Sequence, residues 1–151
     1  MLEGLFSEGR MNRRKSRENA FIAMFEASFG GEISEIIEQS RAENEEYVVD
    51  EFGEALLADY TAHAKEIDAI IESRLKGWKV NRLAKVNLAL LRLAVAEMCY
   101  GAPDMDSVVI NEAVEIAKKY ADEEDYQFVN GVLGNISRGK GGAASTAALP
   151  V

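Results

Sequence analysis

Arg13, Arg14, Lys15 and Arg17 stand within five positions near the start of the chain, and no acid occurs from residue 10 to residue 17. Guanidinium and ammonium groups beside the free amides of a helix N-terminus make a phosphate site, and arginine planes also stack on exposed bases. A helix N-terminus already carries partial positive charge, so each cation there costs a few tenths of a kcal/mol. Something other than local helix stability therefore holds the run in place. Two uses fit: contact with an anionic partner, or a solvated basic face in which Arg17 pairs with an acid of a neighbouring helix. A second candidate is Phe128, in the run Phe128-Val129-Asn130-Gly131-Val132-Leu133. It falls beside the apolar stripe of its helix, where an aromatic serves either as a stacking platform or as packing at the edge of a core. Gly131 in mid-helix costs about 1 kcal/mol relative to alanine. Close approach of another helix would compensate, with Asn111 and Asn130 hydrogen-bonding across the contact in a structural role.

Covalent chemistry has little to work with. The chain holds one cysteine, Cys99, and one histidine, His63. They form no internal disulfide and no structural zinc site, which needs three or four converging ligands. A lone cysteine in an apolar helix is ordinarily packing rather than a nucleophile. No glycine-rich loop follows a strand, so no nucleotide-binding loop is expected, and neither a catalytic site nor a cofactor.

With 151 residues, 48% of them hydrophobic, the chain is long enough to bury a core without staples. Its net charge of -9 argues against a uniformly basic nucleic-acid binder, but the charge is segregated. Residues 32 to 54 hold nine acids against Arg41 alone, whereas residues 74 to 92 hold none and carry Arg74, Lys76, Lys79, Arg82, Lys85 and Arg92. Local basic sites on an acidic protein are thus permitted. The longest apolar run, 88 to 96, is interrupted by Arg92 and lies far below the roughly 18 to 20 residues of a membrane span. No apolar signal segment opens the chain, so a soluble cytoplasmic protein is expected.

The elements that must position these residues read as helices throughout, and no segment shows sustained strand alternation, so the fold class is all-α. A first helix is expected from about Arg13 to Phe29, stopped by Gly30 and Gly31, and a short acidic one near 33 to 44. A longer pattern from about Asp50 breaks and continues to Gly77. The segment from Leu83 to Tyr100 is apolar on nearly every side and belongs in the middle of a bundle. Asp106 or Ser107 is expected to cap the next helix, with Glu115 and Lys119 paired on its outer side. A last helix runs from about Glu123 to Ile136. The Gly-, Ala- and Ser-rich tail from 139 to 151 and the first residues of the chain are expected to be loose.

Three blocks stand out together: Arg13-Arg14-Lys15-Ser16-Arg17-Glu18, then Val80-Asn81-Arg82-Leu83 running into 90 to 98, and Val109 to Tyr120 followed by Phe128 to Leu133. In order and spacing they resemble the NusB family of bacterial transcription antitermination factors. The resemblance covers residues 12 to 138, between an N-terminal extension (1–11) and the tail. It implies about seven helices in two packed subdomains, near 12–76 and 77–138. It also implies a bacterial, cytoplasmic protein that is not an enzyme. Such a protein binds single-stranded boxA RNA together with NusE, which doubles as a small-subunit ribosomal protein. The complex joins the RNA polymerase antitermination machinery and promotes processive transcription of ribosomal RNA operons. Carried over by motif, Arg13, Arg14, Lys15 and Arg17 would line the RNA groove, with Glu124, Gln127 and Phe128 beside it. Replacing Arg13, Arg14 and Arg17 with alanine would then weaken RNA binding without lowering the melting temperature. Phe25 stands where many relatives have tyrosine, Asp59-Tyr60 replaces Gly-Val, and Asn87 stands where an acid is frequent, which bears on the NusE-facing surface. A helical protein-binding adaptor, or a homodimer that hides its basic groove, is the alternative.

Overall fold

A helix whose every face is apolar has to be surrounded, and the segment from Val86 to Ala96 is interrupted only by Asn87 and Arg92. In the computed structural model, which describes residues 12–43, 46–101 and 105–140, this segment lies in helix α5 (Lys85–Tyr100). Before it come α1 (Arg13–Ala27), α2 (Ile33–Glu43), α3 (Glu51–Ala62), α4 (Ala64–Glu72) and a 3-10 turn (Val80–Arg82). After it come α6 (Asp106–Tyr120) and α7 (Glu123–Lys140). No strand occurs among the described residues, as the all-α reading requires. Helix α5 packs against α1, α3, α4, α6 and α7, and its Leu90, Leu91, Val95 and Ala96 are buried.

Local chemistry sets most helix ends. Asn12 caps α1 by accepting from the Lys15 amide at 2.8 Å. The helix stops at Ala27, two residues before the expected Phe29; the Ser28 hydroxyl donates to the Phe25 carbonyl and Gly30 takes φ 111°. Asp50 caps α3 through the Gly53 amide at 2.9 Å, while its other oxygen accepts the Ser16 hydroxyl and so fastens α3 to α1. The break expected in the third pattern falls at His63, whose ring lies flat on Tyr100 at 3.8 Å. The pattern then ends at Glu72 instead of Gly77, in a turn where Lys76 (φ 51°) and Gly77 (φ 92°) are both left-handed.

Asp106 does not cap α6. Met105 occupies that position without a side-chain capping bond, and the Asp106 carboxylate instead accepts from Ser137 (2.7 Å) and Lys140 (2.8 Å) of α7. Lys140 also donates to the Met98 carbonyl, and these bonds carry α7 four residues past the expected Ile136. The helix thus includes Gly139 and Lys140, which were read as the start of the tail; the rest of the tail and residues 1–11 lie outside the described residues. Asn87, read as part of a partner-facing surface, is 6% exposed and donates to Asp125 at 2.9 Å. Tyr60, from the departing Asp59-Tyr60 pair, donates to Asp68, which Arg92 grips at 2.9 and 3.0 Å. Burial, with Asp68 alongside, pushes the Tyr60 phenol up to about 12.

Candidate nucleic-acid interface

The first turns of α1 place residues 14 and 18 on one stripe and 13 and 17 on the next, because positions four apart share a helix face. On the first stripe, Arg14 grips Glu112 of α6 through two hydrogen bonds of 2.8 and 2.9 Å. One turn on, Glu18 accepts from Lys119 at 2.7 Å and from the Tyr120 hydroxyl at 2.5 Å. Lys119 is therefore tied to α1 rather than to Glu115, whose carboxylate takes Lys118 instead at 3.3 Å. On the second stripe, Arg13 lies over the Phe52 ring at 4.0 Å and is exposed, whereas Arg17 is turned inward. Arg17 is 5% exposed and meets Glu97 of α5 side-on, donating from Nε at 2.8 Å and from Nη2 at 2.5 Å.

This corrects the expectation that all four cations line a groove. Arg17 is a buried strut that fixes α1 to α5, and only Arg13, Arg14 and Lys15 reach the surface. Lys15 sits over the Tyr47 ring at 5.7 Å. Exposed Tyr47 and half-buried Phe52 thus interleave with the cations, an arrangement suited to stacking bases while neutralising phosphates. Sequence reading missed both aromatics, since they sit in or beside the acidic segment. It could have found Glu97: a single acid within an otherwise apolar helix demands a buried cation.

The α1–α6 seam is sensitive to pH. The hydrogen bond and charge of Arg14 hold the Glu112 carboxyl below the usual carboxylate range. Burial raises the Glu18 carboxyl, but hydrogen bonds from Lys119 and Tyr120 and the charge of Lys119 outweigh it, leaving Glu18 low as well. Groups depressed on folding stabilise above their ordinary values and cease to do so as pH falls through the folded ones. Burial and Glu18 raise Tyr120, and Glu18 raises Lys119, so their contribution is lost only when pH climbs past their ordinary values of 10.0 and 10.5. The expected outcome is a Glu18→Gln variant melting below the parent at neutral pH, with the gap closing below pH 4.5. Melting curves of both proteins from pH 3 to 8 check this; a constant gap would remove the assignment.

Phe128 is half-buried against the core edge and lines a cleft of about 480 Å³ together with Arg74, Trp78, Leu83 and Gln127. Gln127 is exposed and donates to Glu123 at 3.1 Å. Glu124 is exposed and does not line that cleft. No residue of α1 lines it either, so the cations of α1 and the α7 residues form two separate groups, with α6 packed against both helices.

Asn111, Asn130 and Gly131 do not form the close contact expected of them. All three are exposed, and with Lys118 and Tyr126 they line an open groove of about 600 Å³ between α6 and α7. No hydrogen bond joins Asn111 to Asn130 among the described residues, and a Cβ at Gly131 would meet nothing within 4 Å. The close approach is at Gly53 instead, where a Cβ would lie 3.3 Å from the Ser16 carbonyl oxygen. Gly131→Ala is accordingly expected to raise stability by about 1 kcal/mol. Urea unfolding checks it, and a loss of stability would mean that the bare backbone is needed within the fold.

Among the described residues no cluster of His, Cys, Asp and Glu could hold a metal. Burial pushes the Cys99 thiol up, the reverse of an activated nucleophile. No described helix is long and apolar enough to cross a membrane.

Residues 14–138 match the NusB family. The transcription antitermination protein NusB of Bacillus mycoides is 40% identical over 126 residues, which cover 83% of this chain and 97% of that protein. NusB of T. maritima superposes with a TM-score of 0.75 at 30% identity, covering 85% of this chain and 92% of that one. A crystal structure of antitermination factors NusB and NusE in complex with dsRNA superposes with a TM-score of 0.68 at 33% identity, covering 83% and 96%.

Proposed function

The chain belongs to the NusB family and is an antitermination factor rather than an enzyme, and from that premise we propose that it binds boxA-type single-stranded RNA together with NusE. In this reading the complex joins the transcribing RNA polymerase and promotes processive transcription of ribosomal RNA operons in the bacterial cytoplasm. The observation that carries the proposal is the surface at the start of α1, where Arg13 lies over Phe52 and Lys15 over Tyr47 beside exposed Arg14, on a protein of net charge -9. Repulsion from so acidic a molecule is overcome only where cations are concentrated. The related NusB–NusE assembly with dsRNA supports RNA and NusE as partners.

The mechanism is binding without chemistry. Arg13, Arg14 and Lys15 neutralise phosphates, the aromatics stack splayed bases, and NusE completes the sequence reading. Arg17 acts one step removed, holding α1 against α5 so that the exposed cations stand in register. Gln127 and Phe128 supply a second contact region, with Glu124 at its edge. The reading carries with it a division of the fold into subdomains of about 12–76 and 77–138, the first bearing the cations.

The test is binding of a labelled boxA-type RNA, against a scrambled RNA of equal length, with and without NusE across a salt series. Three phosphate contacts give a slope of log affinity against log salt of about -2. Selective binding strengthened by NusE supports the proposal. Equal, weak binding to both RNAs under all conditions overturns it in favour of the adaptor or masked homodimer, which sedimentation would reveal.

A further inference from the structure

The acid-free stretch from Arg74 to Arg92 is unused by the α1 interface, and it carries the only tryptophan of the chain. Trp78 is 58% exposed, a large apolar surface to leave in water. The turn that presents it contains two successive left-handed residues, Lys76 (φ 51°) and Gly77 (φ 92°). For lysine that conformation costs on the order of 1 kcal/mol, and such strain is held where geometry matters. Trp78 and Phe128 both line the 480 Å³ cleft against α7.

Arg74 lines the same cleft. It is only 7% exposed, yet its Nε has no hydrogen-bond partner and no acid among the described residues pairs with it. A buried donor left unmade costs about 1–3 kcal/mol, more when charged, so the guanidinium that lines the cleft calls for an acceptor there. Lys76, Lys79 and Arg82 on the adjoining connector are exposed and make no ion pair among the described residues. A cleft with aromatic walls, a buried donor and a cationic rim matches a nucleotide, whose base has two π-faces and acceptor edges and whose phosphate is anionic.

We infer that the cleft between the 74–83 connector and α7 is a nucleobase slot. A splayed base of the bound RNA stacks on Trp78 beside Phe128, accepts a hydrogen bond from the Arg74 guanidinium, and leaves its phosphate to Lys76, Lys79 and Arg82. Gly131 lies at the edge of this cleft and of the Asn111–Asn130 groove and lines both, so its bare backbone leaves a low ridge over which the strand can pass. The inference rests on the RNA-binding reading and extends the contact region at Gln127 and Phe128 onto the 74–83 connector.

Because Trp78 is the only tryptophan, its emission reports on the slot alone. A 12-nucleotide boxA-type RNA is titrated into the full chain with NusE, following tryptophan fluorescence, and anisotropy of a labelled copy gives affinity independently. NusE alone serves as a control. Quenching that saturates with RNA is expected. Trp78→Ala, at an exposed site, should retain its helicity and weaken binding about 5- to 150-fold, the range for losing one stacked base, with Trp78→Phe recovering most of it. RNA binding with unchanged emission and unchanged Trp78→Ala affinity would overturn the slot while leaving the RNA reading standing. Quenching by NusE alone, unaltered by RNA, would overturn it in favour of a protein-docking face. Absence of RNA binding by anisotropy would overturn both.

Discussion

Glu97→Ala is expected to lower the unfolding free energy by about 3–5 kcal/mol, the usual cost of stranding one partner of a buried ion pair. Arg17 would keep its guanidinium 5% exposed, without the carboxylate that now receives it at 2.8 and 2.5 Å. A domain of this size holds about 5–15 kcal/mol in all, so the loss is large enough to read directly from a urea midpoint. Replacing both partners by apolar residues, Arg17→Met with Glu97→Leu, should return most of the stability, because neither charge then remains to be desolvated. The pair also decides what Arg17 does. Were it an RNA contact, the double variant would fold and still bind RNA weakly; as a strut, the double variant should regain parental affinity. The expectation that alanine at Arg13, Arg14 and Arg17 leaves the melting temperature untouched therefore changes: the Arg17 substitution alone should lower it.

Arg13→Ala with Lys15→Ala carries the second large effect, on binding rather than folding. Neither side chain makes an ion pair among the described residues, and each rests over an aromatic ring, Arg13 on Phe52 and Lys15 on Tyr47. Stability should change by no more than about 1 kcal/mol, the scale of exposed cation–π contacts. Loss of two phosphate contacts on a single strand should flatten the salt slope by roughly 1.4 and weaken affinity by about 10- to 30-fold at 0.1 M salt. Binding isotherms at four or five salt concentrations measure both quantities. A folded double variant with parental affinity and slope would take the α1 face out of the RNA site.

Arg13 and Arg17 show how far sequence reaches. Both sit on the same stripe of α1, in the same basic run, and nothing in their spacing separates them. One is exposed over Phe52 and the other is buried against Glu97, because α1 crosses the end of α5 at its second turn and not its first. Gly131 makes the same point. The mid-helix cost was legible, but whether the gap faced a neighbour or solvent depended on which side of α7 meets α6. Trp78 and Phe128 are fifty residues apart and meet across a cleft that no local pattern announces.

Helix existence, the central place of α5 and the basic start of α1 follow from the sequence, since periodicity, capping and breaking residues act over a few positions and α5 has no polar face to leave in water. The three motif blocks likewise carry the family. The choice between strut and contact for each cation, the seam of Arg14 and Glu18 on α6, and the cleft behind Trp78 come only from the tertiary structure. They depend on helix crossings that bring residues 80 to 101 positions apart within hydrogen-bond distance, and pairings at that range are set by the packing of whole faces rather than by any local spacing.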